Sequence, residues 1–167
     1  SAGVQLEGLL VGKNYTMKET VVPDGYVKSN DVTFTVKDTK DVQTVTMTDK
    51  WTVTEIHKQL LSDRTTYVTG ASLELRTDKS NANSVVRTVD GIQVKWTSGT
   101  GKQTFYGIRP GTYWLVETQA PDGYVTSEPV QVTVTSSLTN TAVMYNDPTH
   151  VLIRKVDVHK IFRVVKA

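Results

Sequence analysis

The sequence predicts an all-β fold, and three observations carry that prediction. Thr and Val alternate with other residues at period two, Gly and Pro punctuate the runs, and no window carries a helical period. With 38% hydrophobic and 22% charged residues, the 167-residue chain has the composition of a soluble globular protein with enough apolar surface for a core. Its 19 basic and 17 acidic residues are scattered, and the net charge of +2 comes without the basic clusters that phosphate binding requires, so nucleic acid is not expected as a partner. Cysteine is absent, which removes disulfides, thiolate metal sites and thiol nucleophiles together. No apolar run is long enough to span a bilayer and no charged-then-apolar leader is present. Membrane insertion is therefore not expected in this stretch, and a targeting signal or anchor is expected on a longer parent chain.

Taken in order, residues 6–10 read as a first strand, Gly12-Lys13-Asn14 as a turn, and Tyr15, Met17 and Glu19 as the inward face of a second strand. Pro23-Asp24-Gly25 is a turn in which Pro presets φ and Gly accepts a positive one. Val32, Phe34 and Val36 form the next strand, and Val45, Met47 and Asp49 share a face on another. From Trp51 a longer unit begins, with Ile56, Lys58 and Leu60 on one parity. Ala71, Leu73 and Leu75 follow, then a polar loop over 78–84, then Ile92, Val94 and Trp96. Gly99-Thr100-Gly101 breaks that strand, residues 105–108 resume it, and Arg109-Pro110-Gly111 turns into a strand carrying Tyr113, Leu115 and Glu117 on one parity. Val130, Val132 and Val134 form the penultimate strand, and Ala142, Met144 and Asn146 share a face on the last.

An internal repeat organises these elements. The stretch 15–26 (YTMKETVVPDGY) is a near copy of 113–124 (YWLVETQAPDGY), and each carries an acid on its apolar face. Gly8, Gly12, Glu19, Pro23, Gly25 and Tyr26 match Gly107, Gly111, Glu117, Pro121, Gly123 and Tyr124, with one residue inserted at Asn14. Asp49 then falls on Asn146 and Lys58 on Lys155, both at a spacing of 97. Residues 1–50 are therefore expected to be the C-terminal half of a repeat, 51–148 a complete domain, and 149–167 the first strand of a following repeat.

The pattern Tyr-x-Leu-x-Glu-Thr-x-Ala-Pro-x-Gly-Tyr resembles the E-box segment of CnaB-type (SpaA-like, prealbumin-like) domains, which build pilins and surface adhesins of Gram-positive bacteria. Gly70-Ala71 with its alternating strand resembles the second-strand signature of that family, and Ile56-His57-Lys58 and Ile153-Arg154-Lys155 resemble its first-strand lysine motif. The resemblance implies a small Greek-key β-sandwich closed by an isopeptide bond, with Lys58 joined to Asn146 and Glu117 as the catalytic acid. Glu19, Asp49 and Lys155 are then the partial-repeat equivalents. It further implies an extracellular, cell-wall-anchored structural module, partnered by neighbouring repeats or pilin subunits, or alternatively an adhesin module recognising a host surface protein or glycan. No cofactor and no enzymatic turnover are expected, only a single self-processing event.

The residues themselves make that chemistry reasonable. A lysine amine must be neutral to attack a carboxamide, and its ordinary pKa of about 10.4 forbids this in water near neutrality. An apolar core disfavours charged forms, so a buried amine beside a buried acid becomes a competent nucleophile and proton shuttle. Glu117 is expected to hydrogen-bond the Asn146 side-chain carbonyl and stabilise its oxyanion. A strand lysine usually snorkels to water, but an amine, an acid and an amide turned inward on three strands are costly unless they satisfy one another. Glu19, Asp49 and Lys155 are each expected to lack a partner, unless Lys155 meets Asp49 within the chain or from a neighbouring molecule. His57, His150 and His159 lack metal-ligand spacing, the loop with Asp38 and Asp41 lacks a packed series of oxygen ligands, and no Ser sits in a nucleophile elbow. Trp51, Trp96 and Trp114 are expected in packing rather than on a sugar-stacking surface.

Overall fold

The structure is a computed structural model describing residues 3–154, so Lys155 and His159 lie outside the described residues. Eleven strands are formed: β1 (Asn14–Met17), β2 (Tyr26–Val27), β3 (Val32–Thr35), β4 (Lys50–Trp51), β5 (Val53–Leu60), β6 (Ser72–Arg76), β7 (Lys95–Thr97), β8 (Gln103–Tyr106), β9 (Gly111–Gln119), β10 (Val130–Val134) and β11 (Thr139–Asn146). No helix occurs among the described residues.

From β5 onward two sheets face each other, one ordered β10-β9-β6-β7 and the other β11-β5-β8. Period-two alternation turns Ile56, Leu73, Leu75, Tyr113, Leu115, Val132, Val134, Ala142 and Met144 into one shared core between them. Each fully buried aliphatic there contributes about 1.5–3 kcal/mol relative to exposure. The glycine pair at 99 and 101 does interrupt the chain between β7 and β8, and these two strands lie in different sheets.

Two features position the site. The first strand of the sandwich, β5, pairs in parallel with its last, β11, in a register running from Val53↔Thr139 to Leu60↔Asn146. Lys58 lies opposite Met144, which puts Asn146 two residues further along the adjacent strand on the same inward face. In the opposite sheet, β9 pairs with β6 through Leu73↔Glu117 and then Ser72↔Gln119, so Thr118 is an extra residue. Such a bulge bends the strand and re-aims its neighbours, here immediately beside Glu117.

In residues 1–50 the hairpin β1-β3 repeats β9-β10 in detail. Met17↔Val32 and Tyr15↔Phe34 stand where Leu115↔Val130 and Val132↔Tyr113 stand in the complete sandwich. The strands expected over 6–10 and across Val45, Met47 and Asp49 are not formed. By the repeat they correspond to β8 and β11, both of which hydrogen-bond to β5, and residues 1–50 contain no counterpart of β5. Among the described residues they have no ladder partner, and Leu6 and Leu10 are exposed.

Candidate functional site

Lys58, Glu117 and Asn146 meet between the sheets. They are 3%, 4% and 0% exposed, which settles that the lysine does not snorkel. Lys58 Nζ lies 3.2 Å from Glu117 Oε1, and Asn146 Nδ2 donates to Glu117 Oε2 at 3.0 Å. One carboxyl group thus bridges the amine and the amide with a different oxygen on each. Burial lowers the pKa of Lys58 from its ordinary 10.5, and the Glu117 charge and hydrogen bond offset part of that fall.

Asn146 presents its amide the opposite way round from the sequence expectation. Its Nδ2 also donates to the Val125 carbonyl at 2.8 Å, and a carbonyl there demands a donor, so Nδ2 rather than Oδ1 faces Glu117. Oδ1 is buried with no hydrogen-bond partner. Glu117 therefore sits on the nitrogen that would leave rather than on the oxygen that would gain charge.

The structure adds a residue that the sequence reading missed. Ser127 donates its backbone N–H to Glu117 Oε2 at 2.6 Å, accepts from Lys58 Nζ at 2.8 Å, and donates its hydroxyl to the Tyr145 carbonyl at 2.6 Å. It holds acid and amine together and ties both to β11. A signal for it was present: the repeat continues past the tyrosines as Gly25-Tyr26-Val27-Lys28-Ser29 and Gly123-Tyr124-Val125-Thr126-Ser127.

The same arrangement recurs in residues 1–50, with no amine of a described residue joined to it. Ser29 donates its N–H to Glu19 Oε2 at 2.7 Å, and its hydroxyl lies 2.8 Å from Asp49 Oδ1 and 2.9 Å from the Thr48 carbonyl. Glu19 is half-buried and Asp49 is exposed.

The other candidates are absorbed by packing. Trp51 stacks edge-on against Tyr26, Trp96 against Phe105, and Trp114 lies under the Lys79 ammonium. His57 Nδ1 is hydrogen-bonded to the Tyr67 hydroxyl at 2.8 Å, and His150 is exposed. No cluster of His, Cys, Asp or Glu suited to a metal occurs among the described residues.

A two-sheet sandwich whose first and last strands are parallel neighbours, with an acid-bridged amine and amide shut between the sheets, defines the class as a prealbumin-like β-sandwich with a buried ionisable cluster. The chain belongs to the SpaA family, the prealbumin-like fold domain, which matches residues 2–51 and again 54–148. No curated protein matches it. Among solved structures it is similar to the group B streptococcus pilus 2b backbone protein, with 22% identity over 71% of this chain and 44% of that one, at a TM-score of 0.46. It is also similar to a streptococcal ancillary pilin (28%, covering 84% and 43%, TM-score 0.47) and to the shaft pilin SpaA of Lactobacillus rhamnosus GG (18%, covering 84% and 64%, TM-score 0.47). The chain thus spans less than half the length of the first two.

Proposed function

We propose that residues 51–148 form a load-bearing module of a Gram-positive surface pilus or stalk, closed by a self-made isopeptide bond between Lys58 and Asn146. The observation that supports this best is the single Glu117 carboxyl touching the lysine amine through one oxygen and the asparagine amide nitrogen through the other. In the reaction, Lys58 passes a proton to Glu117 and the neutral amine attacks Asn146 Cγ. The new C–N bond forms, Glu117 hands the proton it took to the departing nitrogen, the Cγ–Nδ2 bond breaks, and the carboxylate so regenerated takes a second N–H proton from the former lysine nitrogen. Amine plus carboxamide becomes a secondary amide plus ammonia, and Glu117 ends protonated. No described donor faces Asn146 Oδ1, so the reaction relies on proton shuttling and on folding-enforced proximity, for which effective molarities of about 10⁵–10⁸ M are attainable.

Function follows from topology. Tension enters the sandwich at Val53 and leaves beyond Asn146, at opposite ends of two parallel neighbouring strands, so it loads the β5-β11 ladder in shear. A covalent bond from Lys58 to Asn146 routes that force through one short piece of β5 and leaves residues 59–145 unloaded. Residues 1–50 are read as half of a preceding unit of the same kind. There Glu19, Ser29 and Asp49 form a half-site that a lysine-bearing strand would complete with loss of water, and Lys155 is the corresponding donor of a following unit. Wall anchoring and partner pilin subunits belong to the parent protein in this reading. Single-molecule pulling from the two ends tests it. The wild type should release no length from residues 59–145 before the tether fails, whereas Asn146→Ala should release all of it; equal release from both would reject a load-bearing crosslink.

A further inference from the structure

The two halves of the chain meet at a joint whose parts recur, uncovered, at its other end. At the joint, Thr52 clamps the Gly25 turn: its N–H donates to the Gly25 carbonyl at 2.9 Å, and its hydroxyl lies 3.1 Å from that carbonyl and 2.9 Å from the Ile108 carbonyl. Gly107 donates to the Thr52 carbonyl at 2.9 Å, and Val89 donates to the Gly107 carbonyl at 2.9 Å. The turn is covered so closely that a Cβ on Gly25 would sit 2.5 Å from Val89 Cγ1 and 3.0 Å from the Gly107 oxygen. Arg109 and Asp24 form an ion pair across it at 3.7 Å.

The clamp is built a second time. Thr149 donates its N–H to the Gly123 carbonyl at 2.8 Å, with its hydroxyl at 3.3 Å, and Tyr124 bridges to Pro148 as Tyr26 does to Trp51. Gly25 and Gly123 share the positive φ that glycine tolerates, +82° and +87°. Yet Gly25 is buried, while Gly123 is exposed with nothing within 4 Å of where a Cβ would stand. Asp122, in the place of Asp24, is exposed as well. The chain leaving this second clamp spells the start of another sandwich: Thr149, Ile153 and Lys155 each follow Thr52, Ile56 and Lys58 by 97 residues.

We propose that the Gly123 turn, with Tyr124 and Thr149, is the seat of a further sandwich of this same kind. Its counterparts of Val89, Gly107 and Ile108 cover Gly123 as those residues cover Gly25, and its counterpart of Arg109 pairs with Asp122. Pro148 replaces Trp51 under the incoming glycine loop, so the second joint relies more on the backbone clamp and less on an aromatic lid. Successive units are then related by one fixed rotation and translation, giving a rod that does not flex at its joints. This inference does not depend on the isopeptide bond.

The test repeats residues 52–148 after Pro148, so that the added Thr52 takes the place of Thr149. Because the chain has no cysteine, two spin-label pairs can be placed cleanly. One pair replaces Asp24 and Arg109 across the existing joint, and the other replaces Asp122 and the Arg109 of the added copy. Pulsed electron-resonance distances should agree between the pairs in mean and in width, read on samples whose first pair is narrow and which are therefore folded. Val89→Arg in the added copy, at the side chain that would cover the Gly123 turn as Val89 covers Gly25, should broaden the second pair alone. A broad or displaced second pair beside a narrow first pair, or a second pair unmoved by that substitution, would overturn the proposal.

Discussion

Replacing Asn146 with Ala deletes the acceptor while leaving Lys58, Glu117 and Ser127 in place, so it isolates what the crosslink contributes to stability. By the chain-entropy reasoning used for disulfides, closing a loop of about 90 residues contributes roughly 4 to 5 kcal/mol. Nδ2 leaves as ammonia on joining, so its bonds to Glu117 and to the Val125 carbonyl are already gone from the joined wild type, and locally the variant loses only the hydrogen bonds of one buried amide, each about 0.5–1.5 kcal/mol net. Such local changes amount to about 1 to 2 kcal/mol, so the crosslink dominates. For a sandwich of this size 1 kcal/mol moves the melting temperature by about 4–8 °C, and the variant should melt about 20 °C or more below the wild type. Scanning calorimetry at matched pH measures it, with Asn146→Asp as companion, since an aspartate keeps the electrophile and closes with loss of water. A fall of less than about 10 °C, no larger than the local hydrogen bonds explain, would refute the assignment of stability to the crosslink.

Other outcomes follow from the same geometry. Glu117→Gln keeps the shape of the bridge but cannot relay a proton, so the protein should fold with Lys58 and Asn146 unjoined, read as an intact mass equal to that of the sequence. Ser127→Ala removes the hydroxyl that accepts from Lys58 but keeps the backbone N–H on Glu117, so crosslinking of freshly synthesised, not yet joined chains should be slowed rather than abolished; mass spectra timed from synthesis that match the wild type would count against a positioning role for this serine. In Asn146→Ala the amine of Lys58 persists and burial lowers its pKa, so between that lowered value and 10.5 the unfolded chain holds a proton that the folded chain has released. Stability contributed at this site therefore rises with pH across that window and levels off above it. Urea midpoints should show this rise, and the additional substitution Lys58→Met should remove it.

Much of this was legible because strands encode inside and outside at period two. Parity alone placed Lys58, Glu117 and Asn146 inward, and the resemblance to a first-strand lysine motif pointed to β5 and β11 as the strands that carry amine and amide. What parity cannot carry is the identity of hydrogen-bond partners contributed by loops. Ser127 sits on an irregular segment between β9 and β10, outside any alternation, and only extending the repeat past Tyr26 and Tyr124 would have exposed it. The orientation of the Asn146 amide depends on the Val125 carbonyl, another loop group, so the expectation that Glu117 would face Oδ1 failed for the same reason. Residues 6–10 and the run through Val45, Met47 and Asp49 alternate correctly yet form no strand. Alternation reports the face a strand would bury, whereas a strand exists only with a ladder partner, and theirs would be a counterpart of β5.

The intact mass of the unfolded wild-type protein, measured beside Lys58→Met, asks most directly whether amine and amide have joined. The account predicts a wild type lighter than its sequence by one ammonia, with a branched peptide linking Lys58 to Asn146 after digestion, and a Lys58→Met variant at its full sequence mass. A wild type at full sequence mass, after folding to completion, would contradict it.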